Sequence, residues 1–424
     1  MTDTIAKIDF DKPLSANIQP HEVTKSPTRR LKVMWCSNPI WTPSGYSQQT
    51  ADLGQLFLKS GWTPENFAYI DMFGLQGGMI RDINGVLHYP MINHPMGSDA
   101  MLHHGRHFGA DIIIGLFDIW GANPEDLRQI PRFIPWVPID TDPVQPPMLM
   151  NLRFSNRIIA MSKFGQRLMK EQGFSSTYIP HHVDTDIFKP MDKAEAKKAF
   201  GLPPDAFVFG MISANKDGLP RKAFGQVIEA FAKFVQKHTD AYLYIHTNPD
   251  QPGGYPIKLH AAQAGIANRI IFPDLYKWQF DIPKTDMPKI YSLFDVLLSP
   301  SSTEGFAIPI IEAQACGVPV IVNRYTSMPE LIIDGETGYI TEIGCSHLMP
   351  NGQWMRFPSV DSLYNQMVRI KGMKLDIMGA TARKHVVANY DMNKIWSEKW
   401  IPWLSKVEKE IYGEEPLTEP QKTA

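Results

Sequence analysis

Short continuous apolar runs recur along this chain, each followed by a segment with helical spacing, and the pattern occurs twice. In the first half the runs are LKVMWCSN (31–38), NFAYID (66–71), DIIIGLF (111–117), FIPWVPID (133–140), RIIAMS (157–162) and STYIPHHV (176–183). A strand that is apolar throughout must be covered on both faces, and helical crossovers between such strands make them parallel. The fold class this predicts is α/β, with parallel sheets sandwiched between helices. The pattern breaks at 184–206, where Pro, Lys, Asp and Ala replace the apolar runs, and this stretch reads as a linker. It restarts with FVFGMIS (207–213) and an amphipathic helix (221–238) that carries Phe224, Val227, Ile228, Phe231 and Phe234 on one face. The runs AYLYIHT, RIIFP, VLLSP and VPVIV follow. After TGYIT (337–341) the spacing turns helical, and the last such segment, 393–412, presents Trp396, Trp400 and Trp403 as a packing stripe.

A chain of 424 residues is too long for one ordinary core, which agrees with two halves of pattern. The expected organisation is a loose arm (1–29), a first Rossmann-like domain (30–185), a second (186–390), a terminal helix (391–413) and a frayed tail (414–424). Hydrophobic content of 43% and charged content of 20% describe a globular protein. A net charge of −2 gives the molecule no nucleic-acid signature as a whole, although Lys25, Arg29, Arg30 and Lys32 form a small basic cluster. Cys36, Cys316 and Cys345 are far apart and include no CxxC pair. That argues against a disulfide framework or a structural zinc site and fits a reducing, cytoplasmic compartment. The first thirty residues lack the apolar stretch of a signal peptide, and no run approaches the ~18–20 residues that span a bilayer. Contact with a membrane surface stays open.

The stretch EGFAIPIIEAQACGVPVI (304–321) places carboxylates at both ends of an apolar segment. An unpaired carboxylate is costly to bury, so either both are surface decoration or they face a polar ligand. VLLSP reads as a strand, SSTEG as a loop, and a helix begins near 306–309, with Pro309 tolerated in its first turn. Glu304 then lies in a loop at the carboxyl end of a parallel strand, where open α/β sheets bind ligands. The amides of Phe306, Ala307 and Ile308 at the helix start suit phosphate. Glu312, farther along, could accept hydrogen bonds from ribose hydroxyls.

Taken as a whole, SPSSTEGFAIPIIEAQACGVPVI (299–321) resembles the signature of retaining glycosyltransferases of family four, which have the GT-B fold. The positions that carry the resemblance are Glu304, Gly305, Phe306, Pro309, Glu312, Ala313, Gly317, Pro319 and Val320. NKDGLPRKAF (215–224) is similar to the family's diphosphate-binding segment, with Arg221 and Lys222 at the basic pair and Lys216 where an arginine is common. IPHHVDTDIFKP (179–190) resembles the family's exit from the first domain. His181 and His182 there read as structural. TPSGYSQQT (42–50) is similar to the loop after the first strand, with Gly45 approaching the donor phosphate.

The resemblance implies two Rossmann-like domains facing across a cleft, with the terminal helix (391–413) packing back on the first, and a sugar moved from a nucleoside-diphosphate sugar, UDP- or GDP-linked, to an acceptor hydroxyl. The acceptor would be a glycan, a lipid, a small molecule or modified nucleic acid, the last not favoured. No cofactor or metal is implied. Glu304, Gly305, Phe306, Ala307, Ile308, Glu312, Gly45, Lys216, Arg221 and Lys222 would bind the donor. Glu304, Arg221 and Lys222 would carry the chemistry. Asp140 stands where many relatives have a histidine; as a catalytic candidate it would contact the donor sugar or orient the acceptor hydroxyl, and it reads equally as a turn residue before Thr-Asp-Pro. Tyr46, Asp118 and Trp120 are acceptor-side candidates. The alternatives are a non-catalytic nucleotide-sugar or glycan-binding protein of this fold, or an epimerase or phosphorylase. His88, His94, His103, His104 and His107 crowd one region, which reads as a surface or acceptor-side loop rather than a metal site.

Overall fold

The computed structural model describes residues 31–74, 78–216, 220–280 and 282–413. The expected arm with Lys25, Arg29 and Arg30, and the tail from 414, lie outside the described residues. The first half builds one sheet from β1 (Val33–Ser37), β2 (Phe67–Asp71), β3 (Arg81–Ile83), β4 (Val86–Tyr89), β5 (Ile112–Gly115), β6 (Phe133–Val137), β7 (Ile159–Ala160) and β8 (Thr177–Tyr178). Their order is β3-β4-β2-β1-β5-β6-β7-β8, parallel throughout except where β3 runs antiparallel to β4. The second half builds a parallel sheet from β9 (Phe207–Ile212), β10 (Ala241–His246), β11 (Ile270–Ile271), β12 (Val296–Ser299), β13 (Val320–Asn323) and β14 (Gly338–Thr341), in the order β11-β10-β9-β12-β13-β14. These are two Rossmann-like domains of the GT-B type. β1 and β2 are buried at every residue, as continuous apolar runs require.

Four readings need correction. His88 is not in a loop: it lies on β4, 2% exposed, with Nδ1 3.0 Å from the Asp71 carboxylate. The carboxylate satisfies Nδ1 of this buried ring. His103, His104 and His107 lie on the Ser98–Phe108 helix, also not in a loop. The 184–206 stretch is not a bare linker. It contains the Lys193–Ala199 helix, fastened to the second domain by Lys193 Nζ on Asp295 at 2.8 Å. Finally, the chain does not turn helical after Thr341. It forms a two-stranded antiparallel hairpin, β15 (Ile343–Leu348) and β16 (Trp354–Pro358), before the Val360–Lys371 helix.

The tryptophan stripe closes the molecule. Trp400 is fully buried, with its ring 5.6 Å from Trp35 and 5.2 Å from Trp136, both on the first sheet. Trp396 donates its ring N–H to Ser60 Oγ at 2.8 Å. The Ile401–Tyr412 helix ends with the Tyr412 hydroxyl on Asp111, 2.7 Å away. The last helix among the described residues therefore packs on the first sheet and ties the two domains together through aromatic burial.

Candidate functional site

The carboxyl ends of the two sheets face each other, and the closest approaches involve glycines. A Cβ on Gly305 would stand 2.6 Å from Pro138 Cβ, and one on Gly45 would stand 2.9 Å from Ile308 Cδ1. Gly45 opens the Gly45–Lys59 helix, which is capped by Ser44 accepting from the Ser47 amide at 3.1 Å. Ile308 opens the Ile308–Ala315 helix. Two helix starts, one from each domain, thus point into one gap. The amides of Phe306, Ala307 and Ile308 have no intrahelical acceptor there, because they precede or open the helix. Ala307, with φ of +79°, makes the sharp turn that aims them.

Beside these amides stands the charged centre. Arg221 and Lys222 lie in the turn before the Phe224–Val235 helix, which begins three residues later than the sequence pattern suggested. Ala223, at φ +57°, lets the chain enter the helix. Lys222 Nζ is 2.5 Å from one Glu304 oxygen and Arg221 Nη1 is 3.3 Å from the other. Arg221 Nη1 also donates to the Thr303 carbonyl at 3.1 Å, so the basic turn is bolted to the loop that carries the acid. Glu304 is 9% exposed. Burial alone would push its carboxyl up, but Lys222 and Arg221 overcome this and hold it down at about 2. Burial, with Arg221 nearby, lowers the Lys222 ammonium below the usual lysine range, and Lys216, exposed on the same loop, adds to that.

Asp140 follows β6 and faces the same centre from the first domain. Burial pushes its carboxyl up to about 6. Arg221 opposes the rise, and Asp118 and Glu304 reinforce it. The Tyr46 hydroxyl donates to Asp118 at 3.4 Å, and burial, Asp118 and Asp140 raise its pKa. Tyr46, Asp118, Asp140, Arg221, Lys222 and Glu304 therefore share one electrostatic neighbourhood. Trp120 stands apart from it at the surface, 48% exposed, on the turn that follows Asp118.

Glu312 is buried, and both of its oxygens are engaged. Gln48 Nε2 donates to one at 2.8 Å and the Tyr291 hydroxyl to the other at 2.5 Å. Burial raises its carboxyl above the usual range despite these bonds. Alongside, Lys284 Nζ from the second domain holds both oxygens of Asp52 from the first, at 2.5 and 2.6 Å. His182 Nε2 lies 3.6 Å from Asp52. His181 packs 4.4 Å from Trp136 and 5.2 Å from Phe306, with Nδ1 on Gln49, and its burial pushes it well below the usual histidine range.

Sequence reasoning missed Gln48, Asp52, Tyr291, Lys284 and Gln353, the last donating its side-chain amide to Asp140 Oδ2 at 3.2 Å. Gln48 and Asp52 lie one and two helical turns past Gly45, on the face it presents, so helical spacing could have found them. Nothing in the sequence marks the other three.

Residues 192–347 match the family model described as glycosyl transferases group 1. A D-inositol 3-phosphate glycosyltransferase 2 from Catenulispora acidiphila is 30% identical over 161 residues, 37% of this chain and 36% of that protein. The chain thus spans about a third of the length of the curated relatives it matches. Among solved structures, sucrose-phosphate synthase from Thermosynechococcus elongatus superposes with a TM-score of 0.70 at 16% identity, over 88% of this chain and 98% of that one. Anabaena HepE in complex with UDP and glucose gives 0.66 at 16% identity, over 89% and 100%. Likeness at this level of identity speaks for the shared fold.

Proposed function

We propose that this chain, whose residues 192–347 match the family model described as glycosyl transferases group 1, moves a sugar from a nucleoside-diphosphate sugar to an acceptor hydroxyl with retained configuration. The observation that carries the reading is the meeting of Arg221, Lys222 and Glu304 beside two helix starts in one interdomain gap. A departing diphosphate develops negative charge, and fixed cations and unpartnered amides are the groups that stabilise it. In the free protein the two cations share one carboxylate, which a diphosphate would replace.

Glu304, held ionised, is suited to steady positive charge on the anomeric carbon and to accept from donor-sugar hydroxyls. The bond from that carbon to the phosphate oxygen breaks. The acceptor oxygen forms its bond on the same face, and its proton passes to the departing phosphate oxygen. Tyr46 and Asp118 are the acceptor-side candidates that share the charged centre, whereas Trp120 lies outside it at the surface; Lys216, whose charge is felt by Lys222, is a further candidate for the diphosphate. Glu312 is the ribose-binding candidate, and a ribose hydroxyl would share its oxygens with Gln48 and Tyr291 or displace them. The donor-linked nucleotides to try first are UDP and GDP, since HepE was solved with UDP and one curated relative is a GDP-mannose-dependent mannosyltransferase.

The test is release of nucleoside diphosphate from UDP-glucose and GDP-mannose, with and without a mixture of glycan and lipid acceptors. Failure to bind or turn over any nucleotide sugar would sink the reading. Two variants sharpen it. Glu312→Ala should raise donor KM about tenfold with kcat little changed, the signature of lost uniform binding. Gly305→Ala should lower kcat by about tenfold or more while circular dichroism stays native, because its methyl group meets Pro138 and shifts the neighbouring Glu304.

A further inference from the structure

The β15–β16 hairpin leaves the second domain at Thr341 and returns at the Val360–Lys371 helix. β15 is exposed along almost its whole length, whereas β16 turns inward. Met355 and Phe357 are buried and pack with Ala223, the residue after Lys222. The backbone is fastened to the same loop. The Arg356 amide donates to the Ser302 carbonyl at 3.3 Å, and the Ser302 amide donates to the Arg221 carbonyl at 2.7 Å. At the start of β16 the hairpin reaches the opposite domain. Gln353 Nε2 donates to Asp140 Oδ2 at 3.2 Å, and the Trp354 amide donates to Thr141 Oγ1 at 3.2 Å. One element therefore touches both the basic turn and the strand end bearing Asp140. The family-model match stops at residue 347, before this contact.

We propose that this hairpin walls the sugar pocket and that Gln353 is its positioning residue, holding the Asp140 carboxylate so that it receives a hydroxyl of the transferred sugar or of the acceptor. The proposal rests on the nucleotide-sugar reading above. A carboxylate with one oxygen fixed by a buried amide presents its remaining lone pairs in one direction, and Gln353 is 7% exposed. The charged groups that face Asp140 are Arg221, Asp118 and Glu304. With its carboxyl pushed up to about 6, Asp140 takes up a proton just below neutral pH and then presents an O–H donor where the carboxylate offered only acceptors. The amide of Gln353 favours the ionised form, so its removal should move that titration to higher pH.

The experiment uses the full chain, with UDP and GDP as nucleotide probes and UDP-glucose and GDP-mannose as donors. Gln353→Leu removes the donor, and Gln353→Glu keeps the shape but opposes the charge. Cys345→Ser, on the exposed strand of the same hairpin, is the control. In both Gln353 variants the affinity for UDP and GDP should stay at the wild-type value by calorimetry. Turnover should fall roughly tenfold to a hundredfold. The acid limb of kcat/KM should move to higher pH, farthest in Gln353→Glu. A loss already present in acceptor-free hydrolysis assigns the hydroxyl to the donor sugar, and a loss confined to transfer assigns it to the acceptor. Wild-type turnover with an unmoved acid limb in Gln353→Glu, the variant least disturbing to packing, overturns the proposal. A wild-type protein that binds none of the four probes defeats the parent reading, and this one with it.

Discussion

Replacing Arg221 and Lys222 together with alanine is expected to lower turnover of the nucleotide sugar at least about a thousandfold, since removing a single fixed stabiliser of a developing anion already costs about 10²–10³. The change has a second consequence in the free protein. Against its burial, Glu304 is held down at about 2 chiefly by the two cations that face it, with a hydrogen bond from Ser301 adding to them. Without them it is a buried carboxylate with no counter-charge, a situation that costs about 3–5 kcal/mol or forces protonation. The double variant should therefore melt lower than wild type at pH 8 and recover part of the difference at pH 5, where Glu304 can take up a proton. Arg221→Lys should fall between, because an ammonium restores charge but neither the two-pronged geometry nor the bond to the Thr303 carbonyl. Undiminished donor hydrolysis in the double variant would remove the diphosphate role from both residues. Circular dichroism and the melting curve separate that result from simple unfolding.

The sequence made the sheets legible because their strands are buried on both faces, and burial on both faces writes itself as unbroken apolar runs. The Ile308–Ala315 helix was legible for a different reason: a proline near its start and a glycine after its end mark its limits. What escaped notice was held by tertiary context. β3, the edge strand, and β4 beside it are short and flank an Asn-Gly turn, and β4 carries a histidine that only the fold pairs with Asp71. β15 is exposed and polar, so neither apolar alternation nor helical spacing gave it away. The start of the Phe224–Val235 helix was placed too early because Arg221 and Lys222 are good helix formers, and the left-handed Ala223 that actually begins it has no sequence signature. The site divides in the same way. Residues that share a short segment, such as Glu304 and the amides after it, could be read together. Pairs that span the gap between domains, such as Gln48 with Glu312, Lys284 with Asp52 and Gln353 with Asp140, are contacts of distant residues. A single sequence carries no information that joins them.

These cross-gap contacts also bear on how the site would work. Glu304, Glu312 and Asp140 are each already partnered, by Arg221 and Lys222, by Gln48 and Tyr291, and by Gln353. A ligand entering the gap exchanges one set of hydrogen bonds and ion pairs for another instead of forming them on empty groups. Net affinity for any one ligand group is then the difference between two similar interactions. The part of the donor that gains most is the part whose charge exceeds that of the group it displaces. A diphosphate replacing one carboxylate meets that condition.

Glu304→Gln tests this exchange and is expected to separate binding from turnover. The carboxylate competes with the diphosphate for Arg221 and Lys222, so removing its charge should tighten UDP or GDP binding, by about tenfold if one charge-assisted bond of roughly 1.5 kcal/mol is released. Neither probe carries a sugar, so lost contacts to sugar hydroxyls do not enter the measurement. Turnover should fall about a hundredfold or more, because the group placed to steady positive charge on the anomeric carbon becomes neutral. The free variant should also be less stable. A carboxyl lowered from 4.5 to about 2 contributes roughly 3 kcal/mol that is present above the ordinary carboxylate pKa and lost as pH falls through about 2. The stability difference between wild type and variant should therefore be constant from pH 7 to about pH 5 and shrink below that as the wild type loses the contribution. If nucleotide binding weakens in step with turnover, Glu304 does not compete with the diphosphate, and the two cations are held ready for some other partner.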